Sequence, residues 1–429
     1  MSPPEHIKSS TTSPYSDLRA REALQRRTLR VVVASQVLGG AGLAAGATVA
    51  ALLAGQMLGR QDLTGLPVAL TASGAALAAF LVGRLAQRHG RRLGLAMGFG
   101  VGGLGSLGVV VAAWAGSVWL LFVALVVYGA GSATNLQTRY AATDLALPTR
   151  RGTAVSVALV STTLGAIAGP NLVGPLGSLA TTLGLPALSG PFLLSGTAYL
   201  SAGAILFVLL RPDPLLVAQE LEHHHTSTST TPTSTAAPRP GRDAVAGATV
   251  MVLTQVAMVA IMTMTPVHMH AHHHGLGAVG LVISIHIGSM YLPSLVTGRL
   301  VDRVGRLPMS IAAAATLLLA GFTAAFAPTG SMPLLVLALA LLGLGWNFGL
   351  IAGTALVVDA TVPANRARTQ GTIDVLVALG GAGGGVMSGM VMAATSYTTL
   401  SLAGGALSLL LVPVLFWTRR SRTTSPQNL

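Results

Sequence analysis

Stretches of about twenty residues with hardly a charge recur along this chain, and each ends in a short polar or basic segment. A helix needs about 20 apolar residues to cross the hydrocarbon of a bilayer. The pattern predicts twelve such helices, at 30–57, 64–83, 93–115, 118–138, 153–177, 190–210, 245–266, 276–297, 309–327, 332–357, 370–394 and 397–417. The fold class expected is therefore an all-α membrane protein of twelve transmembrane helices. One segment breaks the rhythm, "RPDPLLVAQELEHHHTSTSTTPTSTAAPRPGRD" at 211–243. Its Pro, Ser and Thr content reads as a disordered linker. It divides the chain into a tail (1–28), six spans (29–210), six further spans (244–418) and a second tail (419–429).

Composition agrees with that reading. Of 429 residues 52% are apolar and 9% charged, with mean hydropathy +0.70, whereas soluble domains carry about 25% charged residues. Fifty-two glycines suit close helix packing in lipid. The net charge of +13 raises nucleic acid as a partner, and its distribution excludes it. Arginines cluster at 19–30, 84–92, 150–151, 299–306, 366–368 and 419–422, while the loops of the opposite side hold almost only Arg60. The clusters share one side when both termini are cytoplasmic, so the excess is a topology signal. No cysteine is present, which rules out disulfide and thiolate sites. The N-terminal tail shows no apolar core followed by a cleavage site, and the first apolar run is expected to stay as span 1.

A linker between two sets of six spans invites a search for a repeat. "GRLAQRHGR" at 83–91 matches "GRLVDRVGR" at 298–306, and Asp144, Pro148 and Arg151 match Asp359, Pro363 and Arg366 at the same offset of 215. Two halves that rock about a central site are the architecture this implies. The twice-repeated loop between the second and third span of each half resembles the signature of the major facilitator superfamily. "GAIAGPNLVGP" at 165–175 is similar to that superfamily's glycine-proline motif. The resemblance implies a latch that closes the cytoplasmic ends. It is carried by Gly83, Arg84, Arg88, Gly90 and Arg91 in the first half and by Gly298, Asp302, Arg303, Gly305 and Arg306 in the second. Gln87 stands where the superfamily has Asp, which implies a weaker latch there. Residues 120–135 hold no charge, so the superfamily's intramembrane arginine is expected to be missing.

Few polar groups fall at mid-membrane depth, where transporters place specificity. They are Gln36, Thr48, Asn135, Gln137, Asn171, Trp346, Asn347 and one carboxylate, Asp374. Asp374 reads either as a helix-start carboxylate favoured by the dipole or as an ion relay; Asn135 and Asn347 read as cavity residues. The distinctive chemistry is Met258 with Met262 on span 7 and His286 with Met290 on span 8. Side chains four apart share a helix face. Three thioethers and an imidazole are a soft donor set suited to Cu(I) and not to magnesium, calcium or manganese. Packing alone also accounts for methionines, while an intramembrane histidine needs a partner.

These two motifs resemble the signature of the copper-importing, CcoA-like branch of the superfamily. The resemblance implies that Met258, Met262, His286 and Met290 bind copper as transported cargo, with no cofactor permanently bound. "HMHAHHHG" at 268–275 lies between spans 7 and 8 on the external side. Its His268, Met269, His270, His272, His273 and His274 read as a metal-collecting loop or as an inert polar loop. His223, His224 and His225 in the linker, and Met387, Met390 and Met392 on span 11, are weaker candidates for an exit path. The expected protein is a monomeric secondary transporter of the plasma or inner membrane. Its partners are the bilayer, copper and a cytoplasmic copper chaperone, with no nucleic acid, and no catalytic triad or nucleotide loop marks an enzyme. The rival readings are an efflux pump for hydrophobic compounds and a metal sensor or chaperone without flux.

Overall fold

The computed structural model describes residues 15, 17–58, 66–227, 241–328 and 331–414. Backbone polar groups in lipid must be satisfied within the segment that carries them, and a helix does this without partners. The apolar runs accordingly fold as α1 (Leu18–Leu58), α2 (Leu66–Ala115), α3 (Val118–Ala141), α4 (Arg151–Asn171), α5 (Val173–Thr182) and α6 (Gly190–Leu209) in the first half. After α7 (Pro214–Ser227), the second half contains α8 (Arg242–Ala271), α9 (Leu276–Tyr291), α10 (Ser294–Val304), α11 (Arg306–Phe326), α12 (Met332–Asp359), α13 (Arg366–Ala394) and α14 (Tyr397–Leu407).

Among the described residues ten helical runs are long and apolar enough to cross a membrane. One of these, α2, contains two expected spans. The chain reverses inside it at Gly90, whose φ of 88° only glycine adopts freely, and Gly94 then lies against Ala86. The fifth span is shared between α4 and α5. With these the twelve-span architecture is complete. Its outer surface is apolar: Trp119, Leu104 and Leu164 are all largely exposed, the arrangement lipid requires.

Three boundaries differ from the sequence expectation. The eighth span divides into α9 and α10 at Pro293, which lacks the N–H a continuous helix needs. The helix α1 begins at Leu18, inside the expected tail, because Leu24 packs with Leu145 and Leu221. The linker opens as helix α7 instead of disordered chain. Its Leu215 packs with Ala86 and Ala367, Gln219 donates to the Pro363 carbonyl, and Asp213 accepts the Arg92 N–H at 2.7 Å. The helix therefore touches both halves. Residues 419–429, Arg60 and most of the Ser/Thr-rich linker lie outside the described residues, as do the side chains of Thr48, Asn171 and His225.

Candidate cargo site and the seam between the halves

His286 is fully buried on α9. Its Nδ1 lies 2.9 Å from the Leu339 carbonyl of α12, and a carbonyl only accepts, so Nδ1 carries the hydrogen. Nε2 then presents a lone pair, and it is buried with no hydrogen-bond partner. A buried acceptor left without a donor is costly, while an imidazole whose other nitrogen donates to a carbonyl is the usual form of a metal-ligating histidine. Met258 and Met290 are buried, and they join Met262 in one apolar cluster of the second half. Met264 packs against the same cluster, although its position falls off the 258/262 face.

The two candidate pairs lie on consecutive helices, α8 and α9. In the structure α12 packs against both and sets their relation. Gly343 of α12 lets α9 approach so closely that a methyl there would meet the His286 carbonyl oxygen at 2.5 Å. Asn347 Nδ2 donates to the Met290 carbonyl at 2.7 Å and to Ser294 Oγ at 2.8 Å, and its Oδ1 is buried without a partner. Trp346 donates to Gln255 at 2.7 Å and lies edge-on to Tyr291. Asn135 is buried with Nδ2 unbonded, beside Gly39.

The first half of the expected collecting loop is helix, since α8 continues through Pro266 to Ala271. Met269 is fully buried in the core cluster and cannot collect metal. The His268 ring stacks on Tyr397 at 4.2 Å and lies 4.4 Å from the ring of His272. His270, His272 and His273 are exposed. Among the described residues no group of three or more His, Cys, Asp or Glu forms a metal cluster.

At the arginine-rich end the halves meet in a two-fold network that repeats at the offset of 215. Gly90 and Gly305 share one backbone conformation, with φ of 88° and 107°. Asp302 accepts the N–H groups of Gly152 and Thr153, at the start of α4, at 2.9 and 2.8 Å. Gln87 does the same for Ala367 and Arg368 at the start of α13, at 2.8 and 3.3 Å. The amide thus fills the carboxylate's place, without its charge. Asp144 takes Arg91 from its own half at 2.8 Å and Arg366 from the other at 3.7 Å. Asp359 takes Arg306 at 2.9 Å and Arg151 at 2.6 Å. A methyl on Gly83 would meet the Gly371 Cα at 2.7 Å; Gly298 faces Gly152 and Ser156 in the same way. Arg84, Arg88 and Arg303 are exposed and take no ion pair among the described residues.

Asp374 corrects two expectations. It lies two turns inside α13, so it is no helix-start carboxylate. Its Oδ1 accepts Arg139 Nη2 at 2.8 Å and the Tyr140 hydroxyl at 3.1 Å, and Oδ2 is buried without a partner. The span 118–138 stops one residue short of Arg139; α3 runs on to Ala141 and buries it completely. A buried arginine is therefore present after all. The signal in the sequence was Asp374 itself, an intramembrane acid that needs a base.

This architecture has clear relatives. The Major Facilitator Superfamily pattern matches residues 32–292 and 245–429. The uncharacterized MFS-type transporter YdeG of Bacillus subtilis is 58% identical over 412 residues, covering 96% of each chain. The riboflavin transporter RfnT of Brucella anthropi is 29% identical over 91% of this chain and 95% of its own. The human organic anion transporter MFSD10 has the same fold, with TM-score 0.74 at 16% identity over 91% of this chain and 99% of that one. The chain belongs to the Major Facilitator Superfamily and is a multi-pass membrane transporter.

Proposed function

We propose that this transporter imports copper as Cu(I) by alternating access, with Met258, Met262, His286 and Met290 as the cargo site. The observation that supports this most is the buried Nε2 of His286, which has no hydrogen-bond partner and whose lone pair is set free by the Nδ1 contact to the Leu339 carbonyl. Neutral soft donors hold Cu(I) without the grip of thiolates, so the ion can leave. The arginine distribution supports cytoplasmic termini in a plasma or inner membrane. On that orientation the exposed His270, His272 and His273 lie outside, where they collect metal, and a copper chaperone receives it inside. The hydrogen bonds between the halves gather at the cytoplasmic end, so Gly83, Gly90, Arg91, Gly298, Asp302, Gly305 and Arg306 latch an outward-facing state. The carrier functions as a monomer in the bilayer, holds no cofactor and performs no covalent chemistry. Radioactive copper uptake in cells tests the proposal: His286→Ala and Met262→Ala should abolish it with normal amounts of protein in the membrane, and normal uptake by both would sink it.

A second reading is favoured by the RfnT likeness. Trp346, edge-on to Tyr291 and hydrogen-bonded to Gln255, brings together the aromatic and polar groups that a planar organic cargo such as riboflavin would use. It predicts that Trp346→Ala removes riboflavin uptake and that His286→Ala does not.

A further inference from the structure

The two seams of the latch differ in charge. At the seam of α10 with α4, the carboxylate of Asp302 accepts the helix N–H groups. At the seam of α2 with α13 the acceptor is the neutral Gln87, and three arginines converge around it. Arg84 and Arg88 from α2 and Arg368 from α13 line, with Gln87, a cleft of about 330 Å³. Among the described residues no carboxylate lines it, so three like charges share one recess at the interface of the halves.

Arg368 also stands at the mouth of a second recess, a groove of about 950 Å³ between α8 and α13. Its walls are apolar and include Ala248, Val252, Ile373, Leu376 and Leu379. The repeat supplies a control within the chain. At the offset of 215, Arg150, Thr153, Ala154 and Val157 line the equivalent groove of the first half, which is only about 220 Å³. The first turns of α1, with Leu18, Arg21 and Glu22, cover it. Thr153 holds the position equivalent to Arg368, and although Arg21, Arg26 and Arg150 also line the first groove, the carboxylate of Glu22 lies among them, whereas among the described residues no carboxylate lines the second groove.

An anionic head on an apolar tail fits this pair of recesses. Basic pockets between helices at the cytoplasmic face attract acidic phospholipid. We infer that an anionic phospholipid of the cytoplasmic leaflet occupies the seam of α2 and α13, with its phosphate among Arg84, Arg88 and Arg368 and an acyl chain in the groove between α8 and α13. It supplies the negative charge that Gln87 lacks and ties the two halves together. Inorganic phosphate shares the head chemistry, but only a lipid uses the groove.

Purified full-length protein tests this by native mass spectrometry and thermal unfolding with added phosphatidylglycerol, phosphatidylcholine or inorganic phosphate. Phosphatidylglycerol should stay bound and raise the midpoint, while phosphatidylcholine should do neither. Arg88→Gln and Arg368→Gln should each weaken phosphatidylglycerol about fivefold, the effect of one basic residue near a surface. Arg150→Gln, at the covered groove, should not. Leu376→Trp or Leu379→Trp, which fill the groove and leave the arginines in place, should weaken lipid binding without changing any effect of phosphate. Equal stabilisation by the two lipids, full stabilisation by phosphate alone, or unchanged binding in the arginine variants would each overturn the proposal.

Discussion

At the scale of single residues, His286 shows how a backbone atom decides side-chain chemistry. The Leu339 carbonyl fixes which nitrogen is free, and Gly343 sets how near α9 comes. The Gly343→Ala variant keeps all four candidate side chains in the sequence yet displaces α9, which carries His286 and Met290. It should lower Cu(I) affinity about 10–100-fold, the usual effect of disturbing a ligand's support, as measured by competition with a Cu(I) chelator. Unchanged affinity would mean that α12 does not position the site. The four candidate ligands were legible because a histidine in an apolar span is rare. Leu339 was not, because any residue type brings the same carbonyl.

Among the elements, α3 and α13 are joined across the halves by a buried ion pair. Arg139 and Asp374 are both buried, so removing one partner leaves a charge in a low-dielectric core. Asp374→Asn should destabilise the protein by about 3–5 kcal/mol, seen as a fall in thermal midpoint. Arg139→Met combined with Asp374→Leu should recover most of that loss and still fail to transport, because the pair would no longer tell one conformation from the other. Recovery of uptake in the double variant would assign the pair a purely structural role. Sequence periodicity missed Arg139 because a charge at the end of an apolar run reads as its boundary, and its carboxylate partner lies 235 residues away. The helix α7 was hidden for a similar reason. A Pro/Ser/Thr-rich segment reads as disordered unless the surfaces that hold its first half are known.

For the molecule as a whole, the repeat was the most legible feature, since two loops agreeing on one offset specify two similar halves. The network across them was not, because Asp144 and Asp359 each pair with one arginine of their own half and one of the other. The native chain lacks cysteine, so a single introduced thiol reports the state directly. In Ser156→Cys protein, where the thiol faces Gly298 across the seam, adding Asp144→Asn and Asp359→Asn should speed maleimide labelling from the cytoplasmic side several-fold. Gln87→Asp should slow it, because a charge-assisted hydrogen bond is roughly twice as strong as a neutral one.

The exchange of an amide for a carboxylate at one of two equivalent positions also gives the motion a direction. If both seams were alike, the halves would separate evenly and the cytoplasmic vestibule would widen on both flanks together. With Gln87 on one flank and Asp302 on the other, the α2–α13 flank yields first once no lipid bridges it, while the α4–α10 flank acts as the pivot. The first passage to the cytoplasm is then a one-sided slit rather than a central hole, and its lip is the basic edge formed by Arg84, Arg88 and Arg368.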